Sequence, residues 1–174
     1  MKNEDKKINE IIRVNHAGEY GAQVIYNSQI KFSKDIKLKK KLKKIALEEL
    51  QHFDYFESQI IKKRVRPTLM RPIWNLGGYA LGAITSILGE KYVHACTEAV
   101  EEVIVEHYLE QIEFLKKNNK NKDIQAKLKQ FCDEEQNHKE YAANHHSSKD
   151  MTSQIFKRLT RRVTKVAIKI SKKI

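Results

Sequence analysis

Two Glu-x-x-His motifs interrupt apolar helical seams in this chain, and they constrain its fold more than any other feature. Both seams repeat apolar residues at intervals of three and four, which is typical of a helix face that packs into a core. The first seam reads Leu38, Leu42, Ile45, Glu49, His52, Phe56 and Ile60, and the second reads Ile124, Leu128, Phe131, Glu135, His138 and Ala142. Each pattern predicts a helix that buries a carboxylate and an imidazole among apolar side chains.

Two further seams each carry a single glutamate. Glu19 lies in the segment "HAGEYGA" on a face with Ile8, Ile12, Ala22 and Tyr26, and Glu101 lies on a face with Ile104, Tyr108, Ile112 and Leu115. Glu19 precedes its Glu-x-x-His by 30 residues and Glu101 precedes its own by 34, so the chain predicts two helical hairpins of one design. Glu98 and Glu102 are near neighbours, but Glu101 is best centred on its stripe.

This order of residues favours a site for two metal ions. Residues three apart on a helix lie on neighbouring turns of one face, about 5–6 Å apart at Cβ. Two Glu-x-x-His helices and two lone glutamates are the ligand pattern of ferritin-like di-iron and di-manganese carboxylate proteins. Two divalent cations would neutralise four carboxylates that could not otherwise be buried together. One motif alone is also typical of a solvated helix face, whereas two copies on apolar seams favour the metal site.

Composition predicts an all-α fold, and the order of the Glu and Glu-x-x-His residues predicts a ferritin-like four-helix bundle. The chain has only two prolines and six glycines among 174 residues, and its apolar residues recur at helical spacing. We expect four helices. The first covers about residues 7–33, and the second begins at a Ser33 N-cap and continues through the first Glu-x-x-His. The third covers about residues 91–118, and the fourth contains the second motif. These form a ferritin-like di-metal domain over residues 1–150, with a crossover at about 64–90, followed by a basic amphipathic helix over 151–174.

The crossover contains a long apolar segment. Residues 72–89 read "PIWNLGGYALGAITSILG", 18 residues without a charge, which reaches the lower bound for a membrane span. Four glycines and several polar residues disfavour a span, which would also separate the two half-sites. We expect a crossover that dips into a membrane interface or roofs an apolar cavity, with Trp74 and Tyr79 suited to the interface. A merely buried connection is the alternative.

The carboxyl-terminal segment is strongly basic. Residues 151–174 contain eight Lys and Arg residues and no Asp or Glu, within a chain of net charge +12. One face repeats Ile155, Leu159, Val163, Val166 and Ile170. Such a helix suits an anionic membrane surface. Nucleic acid is a rival partner that no recognisable motif supports, and a solvated face packed on the bundle is the third interpretation.

The cysteines and the amino-terminal sequence indicate the cellular compartment. Cys96 and Cys132 form neither a C-x-x-C pair nor a disulfide framework, which favours a reducing compartment. The amino terminus is of mixed charge and has no apolar signal core, so we expect a bacterial cytoplasmic chain or an already processed one.

Five strings give the sequence a specific resemblance. "RVNHAGEYGA", "EELQHF", "RPIWNLGGYALG", "CTEAVEEVIVEHY" and "DEEQNH" follow one another between about Ile11 and His138. In this order they resemble the demethoxyubiquinone hydroxylases of ubiquinone biosynthesis. The resemblance implies a di-iron monooxygenase that uses O2 to hydroxylate a polyprenylated methoxy-methyl-benzoquinone. The pronounced basicity of the tail is not a feature that the resemblance explains.

The resemblance also implies roles for particular residues. The iron ligands fall on Glu19, Glu49, His52, Glu101, Glu135 and His138, which selects Glu101 over its neighbours. Glu49 and Glu135 would bridge the two irons, and His107 with Tyr108 would relay electrons or protons. Gly18 and Gly21 would let the first helix approach a neighbour or the quinone ring closely.

The same resemblance sets the expected surroundings. The reductant would be NADH or an electron-transfer partner, and the protein would lie peripherally on the cytoplasmic side of a bacterial inner membrane. Homo-oligomers and partner proteins of quinone synthesis are further candidate contacts, and no nucleic acid is expected. Iron storage, peroxidase activity and tRNA hydroxylation are the alternative functions for a ferritin-like metal site.

Overall fold

The computed structural model describes residues 2–119, 121–145 and 151–173, and most of these residues are helical. These residues form α1 (Lys2–Phe32), α2 (Ile36–Lys63), α3 (Arg71–Leu88), α4 (Glu90–Asn118), α5 (Lys122–His145) and α6 (Met151–Ser171), with no strand among them. The predicted all-α fold of the ferritin-like kind is confirmed. The predicted boundary at residue 150 falls in residues 146–150, which lie outside the described residues.

The start of α2 differs from the prediction. Ser33 does not cap α2, because its backbone N–H donates to the Gln29 carbonyl at 2.9 Å and closes α1. Asp35 is the N-cap residue, and its carboxylate accepts a hydrogen bond from the Leu38 N–H at 2.6 Å. Aspartate is among the strongest N-cap residues, so the chain places its helix start two residues later than a serine-based prediction does.

The charge-free crossover is itself a helix, α3. Pro72 lies in its first turn, where a missing N–H has no helical partner to lose. Gly89 ends the helix with φ of 105°, a conformation that glycine adopts readily. No helix among the described residues is both long enough and apolar enough to cross a membrane.

The chain divides into two compact units, of which the first comprises residues 1–93 and 166–174. In this unit α1 packs against both α2 and α3. Its core is a cluster of buried apolar side chains: Ala22, Tyr26, Leu38, Leu42, Ile45, Ala46 and Val93. The predicted apolar faces of α1 and α2 therefore meet as their spacing requires.

Close contact between α1 and α3 depends on glycines of α3. A Cβ placed on Gly82 would lie 2.4 Å from the Ile25 carbonyl oxygen and 2.7 Å from Ser28 Cβ. The approach is secured by the Ser28 hydroxyl, which donates to the Tyr79 carbonyl at 2.7 Å. A Cβ on Gly21 would meet nothing within 4 Å. Gly21 is therefore not needed for contact with a neighbouring helix, because the close approach depends on Gly82 of α3. The alternative that Gly18 and Gly21 admit the quinone ring stays a prediction.

The second unit comprises residues 94–165 and contains a row of ion pairs between α4 and α6. Lys157 pairs with Glu98, Arg161 with Glu102 at 3.2 Å, and Lys165 with Glu106 at 2.8 Å. Both partners recur every four residues, so the row follows one face of each helix. These three cations therefore face α4, as the alternative of a tail packed on the bundle implies, and the contact with an anionic surface stays a prediction.

Candidate metal centre

The first half of the predicted centre is assembled in the first unit by α1 and α2. Glu19, Glu49 and His52 are 3%, 1% and 0% exposed. Each offers one ligand atom, and these atoms lie within 4.8 Å of one another. His52 Nδ1 is 3.7 Å from Glu19 Oε2 and 4.0 Å from Glu49 Oε2. Two carboxylates and an imidazole converge in a buried place, which is costly without a compensating cation.

The second half lies in the second unit on α4 and α5. Glu101, Glu135 and His138 are 1%, 1% and 3% exposed. His138 Nδ1 is 3.2 Å from Glu135 Oε2, as the three-residue spacing on one helix face predicts. The seam predictions for both Glu-x-x-His helices are confirmed, since every seam residue of α2 and α5 is buried.

The three neighbouring glutamates of α4 have different surroundings. Glu98 and Glu102 reach α6, where they pair with Lys157 and Arg161. Glu101 points to the protein interior and is only 1% exposed. Burial therefore separates Glu101 from its neighbours, a distinction that helical spacing alone left open.

Chemically, the buried groups suit a divalent transition metal. Carboxylate oxygens and imidazole nitrogens are ligands for iron, manganese and zinc. The two cysteines are free and buried, and burial, aided by the negative charge of Glu101, raises the pKa of the Cys96 thiol. Burial, with Asp133 and Glu135, likewise raises the pKa of Cys132. Raised pKa values favour the protonated form of both thiols at neutral pH.

The predicted relay pair lies two turns after Glu101. His107 is 8% exposed and Tyr108 is 1% exposed. The His107 ring Nε2 is 2.7 Å from the side-chain amide nitrogen of Gln111, which is 4% exposed. Sequence reasoning missed Gln111, although a polar residue four positions after a buried histidine on one helix face is a usable signal.

A second residue that sequence reasoning missed is His16, in the same motif as Glu19. His16 is 2% exposed, and its Nε2 lies 2.6 Å from Glu57 Oε2. Burial lowers the pKa of His16, although the hydrogen bond and charge of Glu57 oppose this shift. Its position three residues before Glu19 on the same face was the available signal.

Known proteins are similar to this chain over most of its length. Residues 6–171 match the family described as "Ubiquinone biosynthesis protein COQ7". The NADPH-dependent 3-demethoxyubiquinone 3-hydroxylase of Rattus norvegicus is 37% identical over 168 residues, covering 95% of this chain and 77% of the relative. The enzyme of the same name from Caenorhabditis elegans is 34% identical, covering 96% and 90%.

A bacterial relative is similar to this chain at a comparable level of identity. The 3-demethoxyubiquinol 3-hydroxylase of Rhodospirillum rubrum is 36% identical over 137 residues, covering 76% of this chain and 62% of the relative. A match that extends over nearly the whole chain, together with these identities, shows that the chain belongs to the COQ7 family of ubiquinone biosynthesis proteins.

Proposed function

We propose that this protein is an O2-dependent di-iron monooxygenase that hydroxylates the ring of demethoxyubiquinone, a polyprenylated methoxy-methyl-benzoquinone, in ubiquinone biosynthesis. The observation that carries the proposal is the buried convergence of Glu19, Glu49 and His52 in a chain whose relatives are named as hydroxylases of that quinone.

The metal ligands in this proposal are six residues. Glu49 and Glu135 would be ligands shared by the two irons, while Glu19 with His52 and Glu101 with His138 would each hold one iron. All six are buried, and the donor set suits iron. Bound iron would supply the reduction of dioxygen, and the protein would supply positioning and a site from which water is excluded.

The reaction requires an external reductant. One ring C–H bond, O2, two electrons and two protons give one ring C–OH bond and one water molecule. The relatives from rat and worm are named NADPH-dependent, which supports NADPH or NADH as the electron source, directly or through an electron-transfer partner. In this scheme the buried His107 and Tyr108 carry protons or electrons between the donor and the site.

Substitution of the bridging ligands tests the proposal. Glu49→Ala and Glu135→Ala should each lose bound iron and turnover, because each residue is proposed to hold both ions. Glu48→Ala and Glu134→Ala are matched controls, since their carboxylates lie next in sequence and contact Lys44 and Gln130 instead. Two irons per chain and full turnover in either bridging variant would refute the ligand assignment.

We further propose that α3 touches the membrane that holds the substrate, on the cytoplasmic side of a bacterial inner membrane. The face of α3 turned away from α1 exposes large apolar side chains, namely Ile73, Leu76, Ile84, Ile87 and Leu88. Leu76 and Ile87 are each 73% exposed. Burial of such area in a lipid interface is favourable by roughly 25 cal/mol per Å².

The aromatic residues of α3 have a smaller part in this contact than the sequence predicts. The indole N–H of Trp74 donates to Ser171 Oγ at 3.0 Å, and Tyr79 accepts a hydrogen bond from Lys31 at 3.1 Å. Both side chains are therefore engaged within their own unit. The contact falls instead to the exposed aliphatic residues, which have no polar partner to satisfy.

A second surface suited to a membrane lies on α6. Ile155, Leu159, Val163 and Val166 are each more than half exposed. Arg158 and Arg162 are exposed between them and Lys169 is exposed one turn further on, so this outward face combines apolar area with cations that favour anionic lipid. The outward stripe, rather than the paired basic face, is the part of the tail suited to a membrane.

Vesicle binding tests the membrane proposal. Leu76→Asp with Ile87→Asp should weaken binding to both neutral and anionic vesicles, because the contact is apolar. Arg158→Gln with Arg162→Gln should weaken binding to anionic vesicles only. Leu47→Asp on the outer face of α2 is a control, since Leu47 is 62% exposed but lies on another helix. If none of these substitutions changed vesicle binding, the proposed contact would be refuted.

A further inference from the structure

A buried hydrogen bond links the proposed relay histidine to the next turn of its own helix. Gln111 follows His107 by four residues on α4, so their side chains are neighbours on one face. The Gln111 amide nitrogen and the His107 Nε2 are 2.7 Å apart, and the two residues are 4% and 8% exposed. The contact is thus shielded from water on both sides.

The chemistry of the two atoms fixes the direction of the hydrogen bond. A carboxamide nitrogen can donate but cannot accept. The Nε2 atom of His107 must therefore accept, which places the ring hydrogen of the neutral imidazole on Nδ1. His107 Nδ1 lies 3.7 Å from Glu110 Oε2, whose side chain is 75% exposed. The ring N–H is consequently turned toward a solvent-facing carboxylate.

We propose that Gln111 is a positioning residue that holds His107 in its Nδ1–H tautomer and fixes the orientation of its ring. This inference rests on the relay role proposed above for His107. A relay imidazole works only when each nitrogen faces the correct neighbour. Partners that orient a metal-ligating histidine have effects of about 10- to 100-fold when removed, and we expect an effect of the same order for this histidine. Gln111 would act on turnover through His107 and would touch neither substrate nor metal.

A double-mutant cycle on the iron-loaded full-length protein tests the inference. Gln111→Met keeps the length of the side chain and removes the donor, and should lower kcat about 10- to 100-fold, with KM and iron content unchanged. His107→Phe should lose most turnover with its iron retained, and the double variant should be no slower than His107→Phe alone, because the two residues act as one unit.

Gln130→Met is the matched control, because Gln130 is exposed on α5 and donates to Glu134 at 3.0 Å. It should turn over like the parent protein. Multiplying losses in the double variant, or an unchanged kcat in Gln111→Met, would overturn the positioning role while leaving the hydroxylase intact. Full turnover in His107→Phe would instead overturn the relay itself.

A measurement that does not depend on turnover separates the positioning role of Gln111 from the relay role of His107. Nitrogen-15 NMR of the full-length protein loaded with zinc should show His107 protonated at Nδ1 in the parent and a mixture of tautomers in Gln111→Met. Gln111→Glu, whose ionised carboxylate can only accept, should shift the proton to Nε2 and also slow turnover at a pH where this carboxylate is ionised. This variant serves if the methionine variant does not fold. A parent His107 protonated at Nε2 would overturn the inference.

Discussion

Gly82 and Gly77 lie on the same helix, but added side chains at the two positions should have opposite effects on stability. A Cβ on Gly82 would be 2.4 Å from the Ile25 carbonyl oxygen, and real Cβ contacts do not fall below 3.0 Å. In a close-packed interior α3 must therefore move from α1 by at least about 0.6 Å. A Cβ on Gly77 would meet nothing within 4 Å.

The size of the difference follows from two terms. Replacement of an interior helical glycine by alanine gains up to about 1 kcal/mol in helix propensity at either site. Overpacking against backbone at Gly82 costs about 1–3 kcal/mol. The propensity term cancels between the two variants, so Gly82→Ala should be about 1–3 kcal/mol less stable than Gly77→Ala.

Thermal unfolding followed by circular dichroism measures this difference. For a chain of this size each kcal/mol shifts Tm by about 2–4 °C, so Gly82→Ala should melt about 2–12 °C below Gly77→Ala. The Gly77→Ala variant should melt slightly above the parent. If Gly82→Ala melted at or above Gly77→Ala, the close packing of α1 on α3 would be refuted.

Three further predictions concern titration, ion pairs and thiol access. Burial lowers the pKa of His16 below its ordinary 6.5, so the unfolded chain binds more protons than the folded one below about pH 6.5 and stability should fall as the pH drops from 7 to 5. His16→Gln should flatten that dependence of Tm, and an unchanged slope would contradict it. Arg161→Gln should lose about 0.5–1 kcal/mol of stability at low salt and less in 1 M NaCl, unlike the control Arg158→Gln, and equal effects of the two would contradict the ion-pair row. Cys96 is fully buried with a raised thiol pKa, so a thiol reagent at pH 8 should modify it only on unfolding, and rapid labelling of the folded protein would contradict this.

Helical spacing predicted the buried faces because a helix packs against the core with one face, so its buried residues recur at the helical period. Glu49, His52, Glu135 and His138 stand on apolar seams, and all four are buried with their neighbours. Spacing could not separate Glu101 from Glu98, because the distinction depends on which carboxylate meets a cation from α6. That pairing involves residues 59 apart in the chain, which no local pattern records.

The packing of the terminal helix α6 also could not be predicted from local spacing. Its apolar and basic residues define two faces, but the sequence does not say which face packs inward. Lys157, Arg161 and Lys165 meet a glutamate row on α4, while Ile155 and Leu159 are turned outward. The helical form of α3 was also missed, because glycine is a poor helix former in isolation, and the packing of Gly82 on α1 outweighs that preference.

Isotope labelling of the product tests the central claim most directly. The iron-loaded full-length protein would be incubated with a short-chain demethoxyubiquinone, NADPH or NADH, and ¹⁸O2, and the quinone analysed by mass spectrometry. The product should carry one added oxygen derived from ¹⁸O2, and none should form with Glu49→Ala. A quinone recovered without added oxygen from protein that holds two irons per chain, or product oxygen derived from water, would contradict the proposed monooxygenase.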